Sequence, residues 1–324
     1  MSNRSAVGIF CAVATWVSTL PALAAEPGIL NYPQGGPGAL QNDLPPIPGL
    51  FAISKTSYAS ADGLYDDKGK KLDVPGFKLS LRSEALNILG KYPVQLFGAH
   101  LYSQLIVPVL SVRQTTTLPF ATTRESKDGF GSLSITPAIL LWDLPNHQKV
   151  QVAFEAATDV GSYDRSRARL GRLNVSTGYA SFMPVIGWRY DKPDGLVASV
   201  LARAIFNTRN TTTDYQSGTV LVTDFNLGWN VDTWQVGVVG SDLRQVENDS
   251  MGPRSPWSLQ GRYTNFVAGP SIAYNFGAGI VNLNYQHAWH TANGANNSTA
   301  WLNVAFPLYA PPQGGLHTLS DGIR

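Results

Sequence analysis

Hydrophobic and polar residues alternate along much of the chain, most clearly in residues 219–245. In the first half of this stretch one parity is apolar, whereas the other carries Asp224 and Asn226. Because successive side chains of a strand point to opposite faces, the pattern predicts a strand with one apolar and one polar face. Trp229 and Trp234 flank the tight turn into a second strand. Such a hairpin, with tryptophan beside a short turn, is typical of a membrane β-barrel.

Strand-like runs of this kind fill most of the chain after residue 50. Twelve are predicted, at residues 50–60, 76–91, 94–112, 130–143, 149–160, 176–190, 196–208, 217–230, 233–245, 261–276, 280–291 and 299–309. Most exceed the roughly 9–11 residues that a tilted strand needs to cross a bilayer. The alternation is poorest in residues 76–112, where its parity slips near Leu86, and a β-bulge or a different register would explain the slip.

The connections alternate between long and short. The long ones, rich in Gly, Asn, Asp, Ser and Thr, are residues 61–75, 113–129, 161–175, 209–216, 246–260 and 292–298. The short ones centre on residues 91–93, 144–147, 191–194, 231–232 and 277–279. Outer-membrane barrels combine long outer loops with short periplasmic turns. The sequence therefore predicts an all-β transmembrane antiparallel barrel of about twelve strands in the bacterial outer membrane, with both termini on the periplasmic side.

Aromatic residues cluster beside the short turns. They are Tyr92, Trp142, Trp188, Tyr190, Trp229, Trp234, Tyr274 and Phe276. Trp and Tyr settle at the headgroup level of a bilayer, because one end of the side chain is apolar and the other is polar. We therefore expect an aromatic girdle at the periplasmic interface.

The ends of the chain divide into three further segments. Residues 1–24 have the charge, apolar core and Ala-x-Ala site of a signal peptide. Residues 25–49 are rich in proline and glycine and form either a periplasmic tail or part of the barrel mouth. Residues 50–309 form the predicted barrel, and residues 310–324 a periplasmic tail.

Composition narrows the possible functions. The chain has 324 residues, of which 14% are charged, and its formal net charge is +2. Nothing in this balance indicates a nucleic-acid partner. The single cysteine, Cys11, lies in the predicted signal peptide, so thiol chemistry and disulfides are not expected.

The polar parity of the strands supplies candidates for a lumen or substrate path. They are Arg82, Glu84, Gln151, Glu155, Arg189, Arg203, Asp224, Asn226, Asn282, Asn284 and Gln286. Both signs of charge occur, so no strong ion preference is expected. Three alternatives stay open: an open channel, a barrel filled by these side chains, and a narrow channel partly occupied by side chains or by residues 25–49.

Enzymatic activity is not expected, and no cofactor or metal is predicted. His287 and His290 lie three residues apart, which on a strand places them on opposite faces. An outer-membrane hydrolase, with His290 paired to Ser298 or Ser271, is the weaker alternative, because nothing in the sequence identifies a nucleophile.

A run of arginines lies in the predicted outer loop 161–175. The run consists of Arg165, Arg167, Arg169 and Arg172. These side chains would face outward, toward the phosphates of lipopolysaccharide, which the planar guanidinium group binds well. The alternative is an ordinary solvated loop, and a third possibility is that the long loops make the barrel an adhesive surface protein.

Two loop motifs carry a family resemblance. One contains Gly161, Tyr163 and Asp164, and the other is Asp214-Tyr215-Gln216-Ser217-Gly218. With the Pro/Gly-rich start and residues such as Gly269-Pro270 and Trp301-Leu302, the chain resembles the outer-membrane family named for the meta-pathway of phenol degradation, also called the SphA family. The resemblance implies a barrel that passes small hydrophobic or aromatic solutes, and it makes the outer mouth the expected place for selectivity. It also implies assembly by the barrel-assembly machinery, with a signal near Phe306 or Tyr309.

Overall fold

A computed structural model describes residues 30–118, 121–256 and 261–310 of the chain. Twelve of its strands close into an antiparallel barrel, because β3 pairs with β1 on one side and with β4 on the other. The barrel strands are β1 (Gly49–Ala61), β3 (Lys78–Leu96), β4 (Ala99–Leu118), β6 (Ser134–Leu144), β7 (Gln148–Ala157), β8 (Ser181–Asp191), β9 (Leu196–Asn207), β11 (Val220–Val231), β12 (Trp234–Gln245), β14 (Thr264–Asn275), β15 (Ile280–Ala292) and β17 (Ser298–Tyr309). The predicted fold class is confirmed. The predicted signal peptide and all but residue 310 of the predicted tail lie outside the described residues.

The strands present the alternation that the sequence predicts. On β8, Phe182, Ile186 and Trp188 are exposed on the outer surface, whereas Met183 and Arg189 are buried inside. An apolar outer band and a polar interior are what a bilayer-spanning barrel requires. At the short-turn end, the rings of Trp234 and Tyr274 lie 4.4 Å apart, as members of the expected girdle.

One predicted turn is misplaced. The connection expected at residues 91–93 is instead Phe97–Gly98, where both residues have positive φ. The register between β3 and β4 shifts between Lys91 and Gln95, so Pro93 lies in an irregularity where no ladder hydrogen bond is required of it. Proline there bends the strand pairing without ending the strand.

The predicted loop at residues 113–129 is also wrong, because residues 113–118 and 121–129 are strand. β4 continues to Leu118, and an additional strand, β5 (Ala121–Phe130), returns along its outer half. β6 pairs with the inner half of the same strand, so β5 and β6 follow one another along β4. The run of threonines in this hairpin favours strand geometry even though the segment is polar.

Short elements organise the long-loop end of the barrel. β10 (Tyr215–Gln216) pairs with β13 (Ser250–Met251), and β2 (Leu64–Tyr65) pairs with β16 (Gly294–Ala295). The helix α1 (Arg165–Arg169) has five residues. Among the described residues, no helix is long and apolar enough to cross a membrane.

Residues 30–48, which we call the plug, lie inside the barrel. Near the long-loop end, Leu30 and Tyr32 pack against a buried cluster that includes Met183 and Ile205. Near the short-turn end, Leu44 and Ile47 pack against a second buried cluster, which includes Phe51, Leu89 and Tyr102. The Pro/Gly-rich segment therefore passes through the lumen and packs against two of the buried apolar clusters of the wall.

Candidate functional site

Polar side chains of the wall surround the plug. Nine of the predicted lumen residues are buried in the interior: Gln151, Glu155, Arg189, Arg203, Asp224, Asn226, Asn282, Asn284 and Gln286. Five of them contact the plug directly, and their contacts, together with that of Asn303, fall into three groups.

The first group fixes Tyr32. Its hydroxyl donates a hydrogen bond to Asp224 Oδ2, while the backbone N–H of Gly35 donates to Asp224 Oδ1 at 3.2 Å. The guanidinium carbon of Arg203 lies 3.7 Å from the centre of the Tyr32 ring, and Arg203 Nη1 donates to Glu155 Oε2 at 2.8 Å. A buried guanidinium is tolerated here because it has both a carboxylate and an aromatic face as partners.

The second group is centred on Arg189, which is 1% exposed. Its Nη1 donates to the carbonyl oxygens of Ala39 at 3.1 Å and Gln41 at 2.9 Å. Its Nη2 lies 2.8 Å from Asp191 Oδ2 and 3.8 Å from Asp43 Oδ2. One arginine therefore satisfies two plug carbonyls that no strand or helix would otherwise engage.

The third group is a ladder of amides. Gln286 Nε2 donates to the carbonyl of Gly35 at 2.9 Å, and Asn303 Nδ2 donates to the carbonyl of Gly36 at 3.3 Å. Asn282 Oδ1 accepts from the backbone N–H of Ala39 at 3.4 Å. Neutral amides can serve an extended backbone in this way at no cost in buried charge.

Arg82 and Glu84 were predicted to face the lumen, and that prediction is wrong. Both are exposed on the outer surface, where Thr56 Oγ1 donates to Glu84 Oε2 at 2.8 Å and the guanidinium of Arg82 lies 5.7 Å from the centre of the Tyr58 ring. The β1–β3 ladder is regular from Leu79 to Lys91, so no bulge causes the parity slip there. The polarity of the two faces is inverted instead.

The inversion contributes to a mainly apolar cavity of ≈ 330 Å³ between the plug and the wall, which is lined by β1, β3 and β4 and also by β6, β7, β8, β9 and β17. Its apolar lining includes Ile53, Leu79, Leu81, Ala85, Ile106, Pro108, Leu110 and Val112. Its polar lining includes Lys55, Asn87, Gln104, Gln151, Glu155 and Arg203. Neither Lys55 nor the apolar wall was identified from the sequence. The clue was present, because residues 76–112 carry apolar side chains on both parities.

The first family motif builds an outer loop. Asp164 caps α1, and its Oδ1 accepts from the backbone N–H groups of Ser166 at 3.0 Å and Arg167 at 3.2 Å. The hydrogen bond from the Ser166 hydroxyl is the main cause that lowers the pKa of the Asp164 carboxyl. Tyr163 Oη accepts from Asn210 Nδ2 at 2.5 Å and so joins two loops.

The second family motif lies in the loop that contains Asn210 and joins it to a third loop, which contains Asp249 and Arg254. The Asp214 carboxylate accepts two hydrogen bonds from Arg254, at 2.6 and 2.5 Å, and these bonds lower its pKa. Tyr215 Oη donates to Asp249 Oδ2 at 2.7 Å, and the backbone N–H of Gly218 donates to Asp249 Oδ1 at 3.0 Å. The motif side chains bond to one another's loops and do not line the apolar cavity.

The four arginines of the predicted outer loop differ in their contacts. Arg172 Nε donates to Glu125 Oε1 at 2.8 Å, and Arg167 lies 3.6 Å from the same carboxylate, so both tie α1 to β5. Arg165 and Arg169 are exposed to solvent.

The hydrolase alternative finds little geometric support. Ser298 lies beside His287, with Oγ and Nδ1 3.3 Å apart, rather than beside the predicted His290. The second ring nitrogen of His287 has no orienting carboxylate or amide in the described part of the chain, and a Ser/His pair depends on such a group. Over the same ranges, no cluster of three or more His, Cys, Asp or Glu side chains could hold a metal ion.

Comparison with known proteins supports the fold and the family. The COG4313 outer membrane channel from Pseudomonas putida F1 is similar in structure, with a TM-score of 0.68, 14% identity, and coverage of 83% of this chain and 98% of that one. The β domain of the Bordetella autotransporter BrkA is similar over 81% of this chain and 100% of that one, with a TM-score of 0.51 and 9% identity. At these identities the matches establish the outer-membrane barrel fold. Curated proteins give no significant match. The profile of one family matches residues 61–304, and the chain therefore belongs to the family described as the putative MetA-pathway of phenol degradation.

Proposed function

We propose that the protein is a channel of the bacterial outer membrane that passes small hydrophobic or aromatic molecules. The observation that carries this proposal is the apolar cavity of ≈ 330 Å³ inside a closed barrel. Ligand sites for small molecules are commonly apolar hollows of roughly 300–1,000 Å³ with a few polar groups. The name of the family, which refers to phenol degradation, and the similarity to a protein described as an outer membrane channel agree with it.

The plug sets the conducting state in this proposal. Residues 30–48 occupy the lumen beside the cavity, so a solute that enters from the long-loop end reaches the cavity before it meets the plug contacts around Arg189. Local movement of the plug would then open the path toward the short-turn end. The plug is held by hydrogen bonds, by ion pairs of Asp43 and by side-chain packing rather than by strand pairing, which suits a segment that must move.

Two further partners follow from the same proposal. The exposed Arg165 and Arg169, at the long-loop end, would meet the phosphates of lipopolysaccharide. The barrel-assembly machinery would insert the chain, and Phe306 and Tyr309 at the end of β17 are the proposed recognition residues. No enzymatic activity is proposed.

The test is uptake by proteoliposomes and by a deletion strain. Vesicles that contain the full-length protein should accumulate a monocyclic aromatic solute faster than protein-free vesicles, and the deletion strain should lose uptake of the same solute. Equal rates in both comparisons would contradict the channel and favour the alternative of a structural or adhesive surface barrel.

A further inference from the structure

Lys55 differs from the other cations of the barrel interior. It lies on the lumen face of β1, opposite Ala85 of β3 and Asn303 of β17, and its side chain lines the apolar cavity. Its ammonium makes no hydrogen bond or ion pair with any residue that the structure describes. By contrast, direct partners are present for Arg189 (Asp191 and Asp43), Arg203 (Glu155), Lys91 (the Pro46 carbonyl) and Lys149 (Asp43).

The carboxylates that face Lys55 across the lumen are already engaged. Glu155 accepts from Arg203 at 2.8 Å and from the Ser134 hydroxyl. Asp224 accepts from Tyr32 and from the backbone of Gly35. These two acids balance the charges of Lys55 and Arg203 in number, yet neither touches the ammonium of Lys55. An ammonium in apolar surroundings without a direct partner is costly, so the site favours a ligand that brings one.

The cavity defines the rest of that ligand. One side is a mainly apolar wall, to which β3 and β4 contribute Leu79, Leu81, Ile106, Pro108 and Leu110 beside the polar Ser83, Asn87 and Gln104. Its volume of ≈ 330 Å³ suits a molecule with one ring rather than a long acyl chain. A ligand that fits both features has an apolar ring at one end and an anionic oxygen group at the other.

We propose that Lys55 is the binding group for the carboxylate of small aromatic acids, whose ring packs on the apolar wall of the cavity. The inference rests on the proposed channel function and narrows its substrate class. A neutral hydrocarbon would fill the same cavity but leave the ammonium unpaired. The charge-assisted hydrogen bond to Lys55 would therefore make the channel prefer the acid over a neutral molecule of the same shape.

Benzoate and benzamide are suitable probes, because they differ mainly in charge. Uptake of each into proteoliposomes would be measured against concentration at pH 7.5, after subtraction of the rate in protein-free vesicles. Wild-type protein should half-saturate with benzoate at a lower concentration than with benzamide. Lys55→Met should raise the half-saturating concentration for benzoate by about tenfold and leave that for benzamide within about twofold, since only benzoate bonds to the ammonium.

Two further variants keep the result interpretable. Lys55→Arg retains the charge and should keep the preference for benzoate. Lys192→Met removes an exposed lysine from a short turn and should leave the half-saturating concentrations of both solutes unchanged. Heat-dependent mobility on a gel would verify that each barrel is folded. If Lys55→Met does not fold, Lys55→Gln is the second neutral variant: loss of the preference for benzoate in it supports the role of Lys55, and an unchanged preference overturns it.

The inference and the proposed function fail in different ways. Equal half-saturation of wild-type protein by the two probes, or an equal change for both probes in Lys55→Met, overturns the role of Lys55 but leaves the channel standing. Uptake of neither probe above the protein-free rate overturns the channel itself.

Discussion

The guanidinium carbon of Arg203 on β9 lies 3.7 Å from the ring centre of Tyr32 in the plug. The contact joins two parts of the chain that are far apart in sequence, and the Tyr32 hydroxyl extends it to Asp224 on β11. The wall thereby holds the plug by a stacked cation and a carboxylate, both in the interior. Because cation–π pairs and buried hydrogen bonds are strongest where water is excluded, this contact is a firm attachment of the plug near the long-loop end.

Tyr32→Ala should loosen the plug. The substitution removes both the aromatic face under Arg203 and the donor to Asp224, so the outer half of the plug loses one of its anchors and keeps those of Asn31 and Gln34. In planar bilayers, the mean conductance or the frequency of openings should rise several-fold. Tyr58→Ala is the matched control, because Tyr58 is an outer-surface tyrosine beside another arginine, Arg82, and its loss should leave conductance unchanged. Equal effects of the two variants would contradict the anchor.

Removing the outer charges should not affect conduction. Arg82→Gln and Glu84→Gln alter side chains that face away from the lumen, so the conductance and the cation-to-anion permeability ratio should match those of the wild type. Arg203→Gln, which changes a charge within the lumen, should shift that ratio. The permeability ratio is measured from reversal potentials under a salt gradient. A shift of that ratio in Arg82→Gln would contradict the outward position of the Arg82 side chain.

Gly38→Ala should destabilise the seated plug. Gly38 has φ +55°, and a Cβ there would lie 2.6 Å from Asn282 Oδ1, so an alanine is strained in the backbone and also displaces a wall residue. Gly98→Ala is the control, since Gly98 has φ +77° with no atom near its Cβ position. The backbone strain common to both costs about 1–2 kcal/mol. Thermal unfolding should therefore shift further for Gly38→Ala, and only that variant should raise conductance.

The outer loops should loosen in acid. The pKa values of Asp164 and Asp214 are lowered, mainly by hydrogen bonds from the Ser166 hydroxyl and from Arg254. A carboxyl with a lowered folded-state pKa stabilises the folded loops above its ordinary pKa, and that contribution is lost as the pH falls through the lowered value. Proteolysis of these loops should thus be constant from pH 7 to pH 5 and faster below about pH 4. Asp214→Asn should already show the faster cleavage at pH 7, and a pH-independent rate in the wild type would contradict the prediction.

Much of the barrel could be predicted because a membrane imposes a simple rule on each strand: apolar side chains face the lipid, and polar side chains face the lumen. Where the lumen is polar and the outside apolar, as on β8 and β11, the parity of residues such as Arg189 and Asp224 gives the facing directly. Where Arg82 and Glu84 face out and Leu79 and Leu81 face in, the same rule gives the wrong answer. The rule assumes a polar lumen, and here one wall borders an apolar cavity.

The plug and its contacts were beyond reach of the strand pattern. Residues 30–48 show no periodic pattern of apolar and polar residues. Their position depends on wall side chains that bond to their backbone carbonyls, such as Arg189 and Gln286, which lie 148 and 251 residues away in the sequence. Lys55 was overlooked for a related reason. In the sequence, a lysine on the lumen side of a strand looks like any other polar side chain. That Lys55 has no direct partner follows only from the three-dimensional arrangement of the closed barrel.

The two neighbours Ala85 and Leu86 offer the most direct test of the proposed route. Ala85 lines the apolar cavity, whereas Leu86 is exposed on the outer surface of the same strand. Ala85→Trp should fill the cavity and abolish proteoliposome uptake of a monocyclic aromatic solute, and Leu86→Trp should leave uptake at the wild-type rate. If Ala85→Trp, folded by its gel mobility, transports as fast as the wild type, aromatic solutes do not cross the barrel through this cavity.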